Sequence, residues 1–403
     1  PRELGRRLQE ARKSCGLTQQ EASDYLGVAR TTITAIEKGE RRIQPLEIIR
    51  LAEYYGRQVD DFVRSGQPVE AFSVQLRAAL APDQSDEEEI TRGTWEFQRL
   101  CEDYLELEHL CGAPMARKYP PPYDISGVAP EAAAEDVATA ERNRLGLGDG
   151  PILNLRELLE KDPGLRVFYL DLPPRIAGMY AFTEQLGGCI AINRKHPPER
   201  CQNTTAHEYG HFLSSRFRSE VALLGRYQRA PEHERFANAF ASSFLLPATG
   251  LRRRYNETQR SRGGRVTPAD LCALADFYFV SVEALSRRAE DLHLLPIGTW
   301  DRLQQAGFKV REAQSLLGLA ARPVADHPLP IRYLYLAAEA FERGDLSEGQ
   351  FARFLRTDRL EARRIASELA NRPDVADTGE VTSLSLSLSE TLPSRRAERP
   401  AGE

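Results

Sequence analysis

The chain of 403 residues has room for two to four small domains, and its hydrophobic fraction of 41% is enough for real cores. A net charge of -5 excludes wholesale coating by nucleic acid but permits one local basic face. No apolar run reaches the ~18 residues of a membrane span, and the polar start Pro1-Arg2-Glu3-Leu4 carries no secretory signal. Six scattered cysteines without a C-x-x-C fit free thiols in a cytoplasmic protein.

Residues 3–64 read as short helices with short turns. Leu4, Leu8 and Ala11 form one apolar stripe. Thr18 caps a second helix whose inner face holds Ala22, Tyr25 and Leu26. Gly27-Val28 turns into a third helix, with Ile33 and Ile36 inward and Arg30, Thr31, Thr32 and Thr34 outward. Pro45 opens a fourth, whose apolar positions are Leu46, Ile49, Leu51 and Ala52. Two helices across a glycine turn, the second with a polar N-terminus outward, make a helix-turn-helix.

The run L-T-Q-Q-E-A-S-D-Y-L-G-V-A-R-T-T-I-T-A-I-E-K-G resembles the Cro/CI-type (XRE) DNA-binding family, from about Arg2 to Val63. The resemblance implies that Arg30, Thr31, Thr32 and Thr34 face base edges of double-stranded DNA, and that Gln19, Lys38, Arg41 and Arg42 contact phosphates. Residues 1–66 hold 12 basic and 10 acidic groups, a surplus of two positive charges. That predicts weak, salt-dependent DNA binding unless a homodimer forms.

Asp83 to Glu89 is an acidic start for a long helix. Its apolar positions Ile90, Phe97, Leu100, Tyr104, Leu107 and Cys111 come close to heptad spacing. Such a helix either dimerises or packs on a neighbouring domain. Gly93 and the shortness of the run favour packing. Tyr119-Pro120-Pro121-Pro122-Tyr123 makes a stiff break, and Pro130 to Leu145 a further helix.

Ile152 to Lys161 reads as a helix and Leu165 to Leu170 as a strand. Ile176 to Phe182 and Cys189 to Asn193 read as a hairpin. The second hairpin strand, Cys189, Ile190, Ala191, Ile192 and Asn193, is the expected edge for an extended peptide substrate.

His207-Glu208-Tyr209-Gly210-His211 follows, an H-e-x-x-H on a helix starting near Cys201 to Thr205. Residues four apart share a helix face, so both imidazoles reach one metal ion, with Glu208 beside them as general base. A catalytic zinc takes a third protein ligand. In Glu232 to Ala241, Glu234, Ala237, Asn238 and Ala241 share a face whose alanines allow close helix approach. A carboxylate buried there needs a cation, which makes Glu234 the third ligand and Asn238 its orienting neighbour. Glu232 and His233 are rivals nearer the loop. His233 reads as a solvent-exposed loop residue.

From about Asn143 to Pro247 the chain resembles the ImmA/IrrE family of metallopeptidases, on G-M-Y-A-F, I-A-I-N, A-H-E-Y-G-H-F-L and E-R-F-A-N-A-F-A-S-S-F-L-L-P. The family pattern E-x-x-A-N-x-F-A also carries the third-ligand role onto Glu234. One departure is the polar lead Cys201-Gln202-Asn203-Thr204-Thr205, which sets Cys201 one to two turns from the ligands, where an inhibitory thiolate or a plain free thiol fits. The implied cofactor is Zn2+, with Mn2+ an alternative. The implied partners are DNA and a protein substrate, a repressor or other regulatory protein cut in stress, mobile-element or phage-defence responses. The other functional reading is a regulator whose metal domain senses without cleaving. Self-cleavage between Gly66 and Asp86 is a third. Tyr180, Tyr209 and Tyr227 are all available to stabilise an oxyanion.

Arg252, Arg253, Arg254, Arg260, Arg262 and Arg265 form a basic stretch. Thr267 to Ser286 reads as a helix pair, and Ile331 to Phe341, Leu346 to Leu355 and Arg359 to Leu369 as amphipathic helices. The expected fold is mostly α with a small β-sheet: an all-α helix-turn-helix domain, an α+β zincin-like peptidase domain and a helical C-terminal region. The expected divisions are 1–66 helix-turn-helix, 67–129 helical linker, 130–250 peptidase, 251–300 its helical extension, 301–373 helical C-terminal domain and 374–403 disordered tail.

Overall fold

The computed structural model divides into two units, Pro1–Val74 and Gln75–Glu403. It describes residues 2–55, 59, 62, 87–223, 231–319, 327–370, 373–375 and 381–383. The segments 83–86 and 66–86, Val63 and Tyr227 therefore lie outside the described residues. Among the described residues no helix is long and apolar enough to cross a membrane.

In the first unit α1 (Arg2–Ser14), α2 (Gln19–Leu26), α3 (Arg30–Glu37) and α4 (Pro45–Tyr54) enclose Leu8, Ala11, Ala22, Leu26, Ile33, Ile36, Ile48, Leu51 and Tyr55. Thr18 and Glu21 form a reciprocal capping box at the start of α2, so the turn into the motif is specified by side chains. On α4 the reading needs correction. Leu46 and Ile49 are 67% and 50% exposed, and the buried positions are Ile48, Leu51, Ala52 and Tyr55. Those four follow the helical i, i+3, i+4, i+7 spacing, which places 46 and 49 on another face.

The second unit is built on a four-stranded sheet, order β1-β3-β2-β4: β1 (Arg166–Leu170), β2 (Ile176–Thr183), β3 (Gly187–Asn193) and β4 (Glu220–Leu223). β1 runs parallel to β3, while β2 is antiparallel to both β3 and β4. Helices cover both faces, which is why the strands read as nearly continuous apolar runs. On one face Val167, Tyr180, Ile190 and Ile192 share a core with α6 (Pro130–Arg144), α7 (Leu155–Lys161), α8 (Pro198–Ser214) and α9 (Glu232–Leu245). On the other, α5 (Glu87–Leu110) brings Phe97 and Tyr104 edge-on to Phe168.

The heptad-spaced residues Ile90, Phe97, Leu100, Tyr104 and Leu107 of that long helix, and Cys111 just beyond its end, are all buried inside this unit. They are core positions and leave no free seam for dimerisation. Beyond the metal helices come α10 (Ala248–Ser261), α11 (Pro268–Tyr278), α12 (Val282–Asp291), α13 (Thr299–Gln305) and α14 (Val310–Leu316). Buried Trp300 of α13 joins the main core and Leu303, Phe308 and Val310 pack against it, so this core continues past residue 300. Then α15 (Ile331–Glu342), α16 (Glu348–Phe354) and α17 (Arg359–Ala370) follow, and α15 sets Tyr333 against both Tyr104 and Phe168. Within the tail expected to be disordered, β5 (Pro373–Val375) pairs antiparallel with β6 (Val381–Ser383).

Candidate metal centre

α8 carries His207 and His211 toward Glu234 of α9 and Glu208 toward β2, and all four are buried. The approach of the two helices depends on Gly210. A Cβ at that position would lie 3.1 Å from the Ala237 Cα and 3.2 Å from Phe240 Cδ1. Small residues on both helices thus let α9 bring Glu234 over the imidazoles.

The Nε2 atoms of His207 and His211 are 3.0 Å apart. Glu234 Oε2 lies 3.6 Å from His207 Nε2, and its Oε1 lies 3.5 Å from His211 Nε2. A tetrahedral zinc with bonds of ~2.0–2.1 Å sets its ligand atoms roughly 3.4 Å from one another, so this spacing fits. The protonation states fit as well. Burial first, then the neighbouring His211, pushes His207 down to about 3, so its lone pair is available to a cation. Burial works to raise the Glu234 carboxyl, but hydrogen bonding to His211 and the charge of both histidines bring it to about 2. Asn238, one turn beyond Glu234, hydrogen-bonds His207 and opposes its downward shift. The residues present are therefore a His-His-Glu group able to hold a divalent metal ion.

Glu208 is fully buried beside β2. A Cβ on Gly178 would sit 2.8 Å from Glu208 Oε1 and 2.7 Å from Thr204 Cγ2. Gly178 thus makes the room in which the carboxylate stands. A lone glycine inside a strand is the sequence signal for such a close approach, and G-M-Y-A-F carries that signal beside the more prominent H-E-x-x-H.

The expected substrate strand is corrected. Cys189, Ile190, Ala191, Ile192 and Asn193 are all buried, and β3 is paired on both sides. Asn193 is a tie within the fold: its Nδ2 donates to the carbonyls of Leu172, Pro173 and Ile176. Of the outer strands, β1 is partly covered, since Tyr169 N donates to the Pro328 carbonyl. β4 pairs only with β2 among the described residues. Cys201 is likewise settled as a structural thiol. Its Sγ donates to the carbonyls of Asn193 and His196, and burial pushes it up to about 12, far from a thiolate. Of the rival ligands, Glu232 is exposed and His233 is half-buried on the first turn of α9, not on a solvent-exposed loop.

In the first unit Arg30, Thr31, Lys38 and Arg42 are exposed, and Thr32 is half-buried. The remaining nominated residues already have partners. Gln19 Nε2 donates to Glu37 at 2.8 Å, Thr34 Oγ1 lies 3.1 Å from Gln19 Oε1, and Arg41 forks onto Glu47 at 2.9 and 3.1 Å.

The folds and the site define a two-part protein, a helix-turn-helix domain joined to a metallopeptidase-like domain. Residues 8–62 match the model of a helix-turn-helix family, and residues 160–290 match that of the peptidase family described as the IrrE N-terminal-like domain. No curated protein matches the chain. Among solved structures, the crystal structure of ComR from Streptococcus suis is similar at 11% identity over 92% of this chain and 89% of that one. The TM-score of that match is 0.15.

Proposed function

We propose that the protein is a DNA-binding zinc metallo-endopeptidase of the cytoplasm. In this reading it regulates transcription by site-specific cleavage of a repressor or other regulatory protein, in a stress, mobile-element or phage-defence response. The observation that carries the reading is a fourth buried group, Glu208, held next to the His207, His211 and Glu234 cluster in space that Gly178 leaves open. A site that only senses metal has no use for it.

A bound zinc ion, or manganese in its place, would polarise the scissile carbonyl and acidify an attacking water. Glu208 takes that water's proton and returns it to the leaving nitrogen. Asn238 fixes the orientation of His207. An extended substrate segment adds to the outer edge of β4, unpaired among the described residues, which takes over the role expected of Cys189 to Asn193. On DNA, Arg30, Thr31 and Thr32 meet base edges and Lys38 and Arg42 meet phosphates. Gln19, Thr34 and Arg41 hold the helices in place through their bonds to neighbours and contact DNA from there.

The test is co-expression with candidate repressors under DNA damage or infection, comparing the wild type with Glu208→Gln. Cleavage should fall by about 10²–10⁴-fold in the variant, while metal content stays stoichiometric. If every candidate survives both proteins and operator binding persists, the domain senses without cutting. A purified protein without stoichiometric metal would end the peptidase reading altogether.

A further inference from the structure

Peptide hydrolysis at this site needs a donor for the negative charge that develops on the carbonyl oxygen. Of the tyrosines that the sequence offers, the two among the described residues, Tyr180 and Tyr209, are already used. The Tyr209 hydroxyl lies 2.5 Å from Glu141 Oε2 and accepts from Arg144 at 3.0 Å, so it points into α6 and away from the ligands. The Tyr180 hydroxyl donates to the Arg216 carbonyl at 2.7 Å. Both rings are fully buried in packing.

His233 lies beside the ligands. It immediately precedes Glu234 on the first turn of α9, and its ring centroid is 6.0 Å from that of His211. It is half-buried where the three ligands are buried, so it stands at the mouth of the cluster. Arg218, His211 and Glu234 all face it electrostatically. The exposed Arg218 cation favours an anion beside this imidazole.

We infer that His233 is a further catalytic residue, whose ring N–H donates to the oxyanion of the tetrahedral adduct. The inference rests on the metallopeptidase reading above. It adds a donor that the H-E-x-x-H motif and the family's third-ligand pattern do not contain. Water adds to the carbonyl carbon, Glu208 takes its proton, and the electron pair displaced onto oxygen is met by His233.

The test uses the full-length protein loaded with cobalt(II), with acetohydroxamate as a small oxyanion probe followed by the cobalt visible band. Metal affinity is measured separately by competition with a chromophoric chelator. His233→Ala should weaken acetohydroxamate binding by at least about tenfold, the effect of one lost charge-assisted donor, and leave metal affinity unchanged. His233→Gln, which keeps a donor, should recover part of the loss. Equal probe affinity in wild type and His233→Ala would overturn the inference. So would a matching loss of metal affinity, which would make His233 a ligand. If the wild-type cobalt protein binds no probe at all, the open catalytic site is itself wrong, and the inference falls with it.

Discussion

At the scale of single residues, the stability of the helix-turn-helix unit turns on one buried ion pair. Arg12 meets Glu37 through Nε at 2.6 Å and Nη2 at 3.0 Å, and Gln19 and Gln9 add donors to the same carboxylate. Burial acts to raise the Glu37 pKa, but these donors and the Arg12 charge leave it below its ordinary 4.5. A depressed carboxyl contributes stability that is fully present above the unfolded pKa. That contribution is lost as pH falls through the folded one, so this unit should weaken only below about pH 4.5. Glu37→Gln should cost about 3 kcal/mol at neutral pH, because Arg12 then stays buried without its counter-charge. The variant should also lose most of the acid dependence. Thermal unfolding of full-length protein at several pH values measures both, and a wild-type midpoint at pH 7 would contradict the argument. No local pattern announces this pair, since its members lie 25 positions apart and neither residue type predicts burial. The metal cluster is the opposite case. His207 and His211 are written at helical spacing, and Glu234 stands on a face of small residues.

Between elements, two glycines separate metal binding from catalysis. Gly210 sets the approach of α8 to α9, and Gly178 sets the room for Glu208. Gly210→Val would press on the Ala237 backbone and push Glu234 away from the imidazoles, so metal affinity should drop by more than about tenfold. Gly178→Ala should leave the three ligands and metal content intact but displace the Glu208 carboxylate. A misplacement of about 1 Å is enough to slow cleavage roughly 10²-fold. Metal analysis alongside a cleavage assay tells the two apart, and loss of metal in Gly178→Ala would undo the distinction. The same elements show where sequence reading stops. The β2–β3 hairpin is legible from its turn and apolar runs, because its register is local. Strand order is not, because β1 comes from outside the hairpin and pairs with β3, turning a presumed edge into the centre of the sheet. β4 is four residues long and shows no period to read. Tyr209 sits inside the motif, yet its hydroxyl is claimed by Glu141, 68 residues away.

Across the whole second unit, the sheet is stable only with both faces covered, and the far face depends on the C-terminal helices. Tyr333 of α15 packs edge-on against Tyr104 at 5.3 Å and Phe168 at 6.4 Å, and its hydroxyl donates to the Phe354 carbonyl. Arg332 reaches Glu108, which also pairs with fully buried Arg166 of β1. Cys111 Sγ donates to the Leu336 carbonyl. The helices beyond residue 330 are thus part of the core that positions β1, and through β1 the strand β3 beside the metal helix. Losing a buried aromatic of this kind costs about 3–5 kcal/mol. A domain stable by roughly 5–15 kcal/mol survives one such loss and not several. Tyr333→Ala should therefore still fold and bind metal, with a clearly lowered thermal midpoint. Truncation after Leu319 removes Tyr333, Leu334, Leu336 and Phe351 together, and should leave a second unit that neither unfolds cooperatively nor retains metal. Calorimetry with metal analysis on both proteins decides the matter. A cooperative, metal-loaded truncation would mean that the C-terminal helices are an independent appendage and that the sheet's second face can remain open.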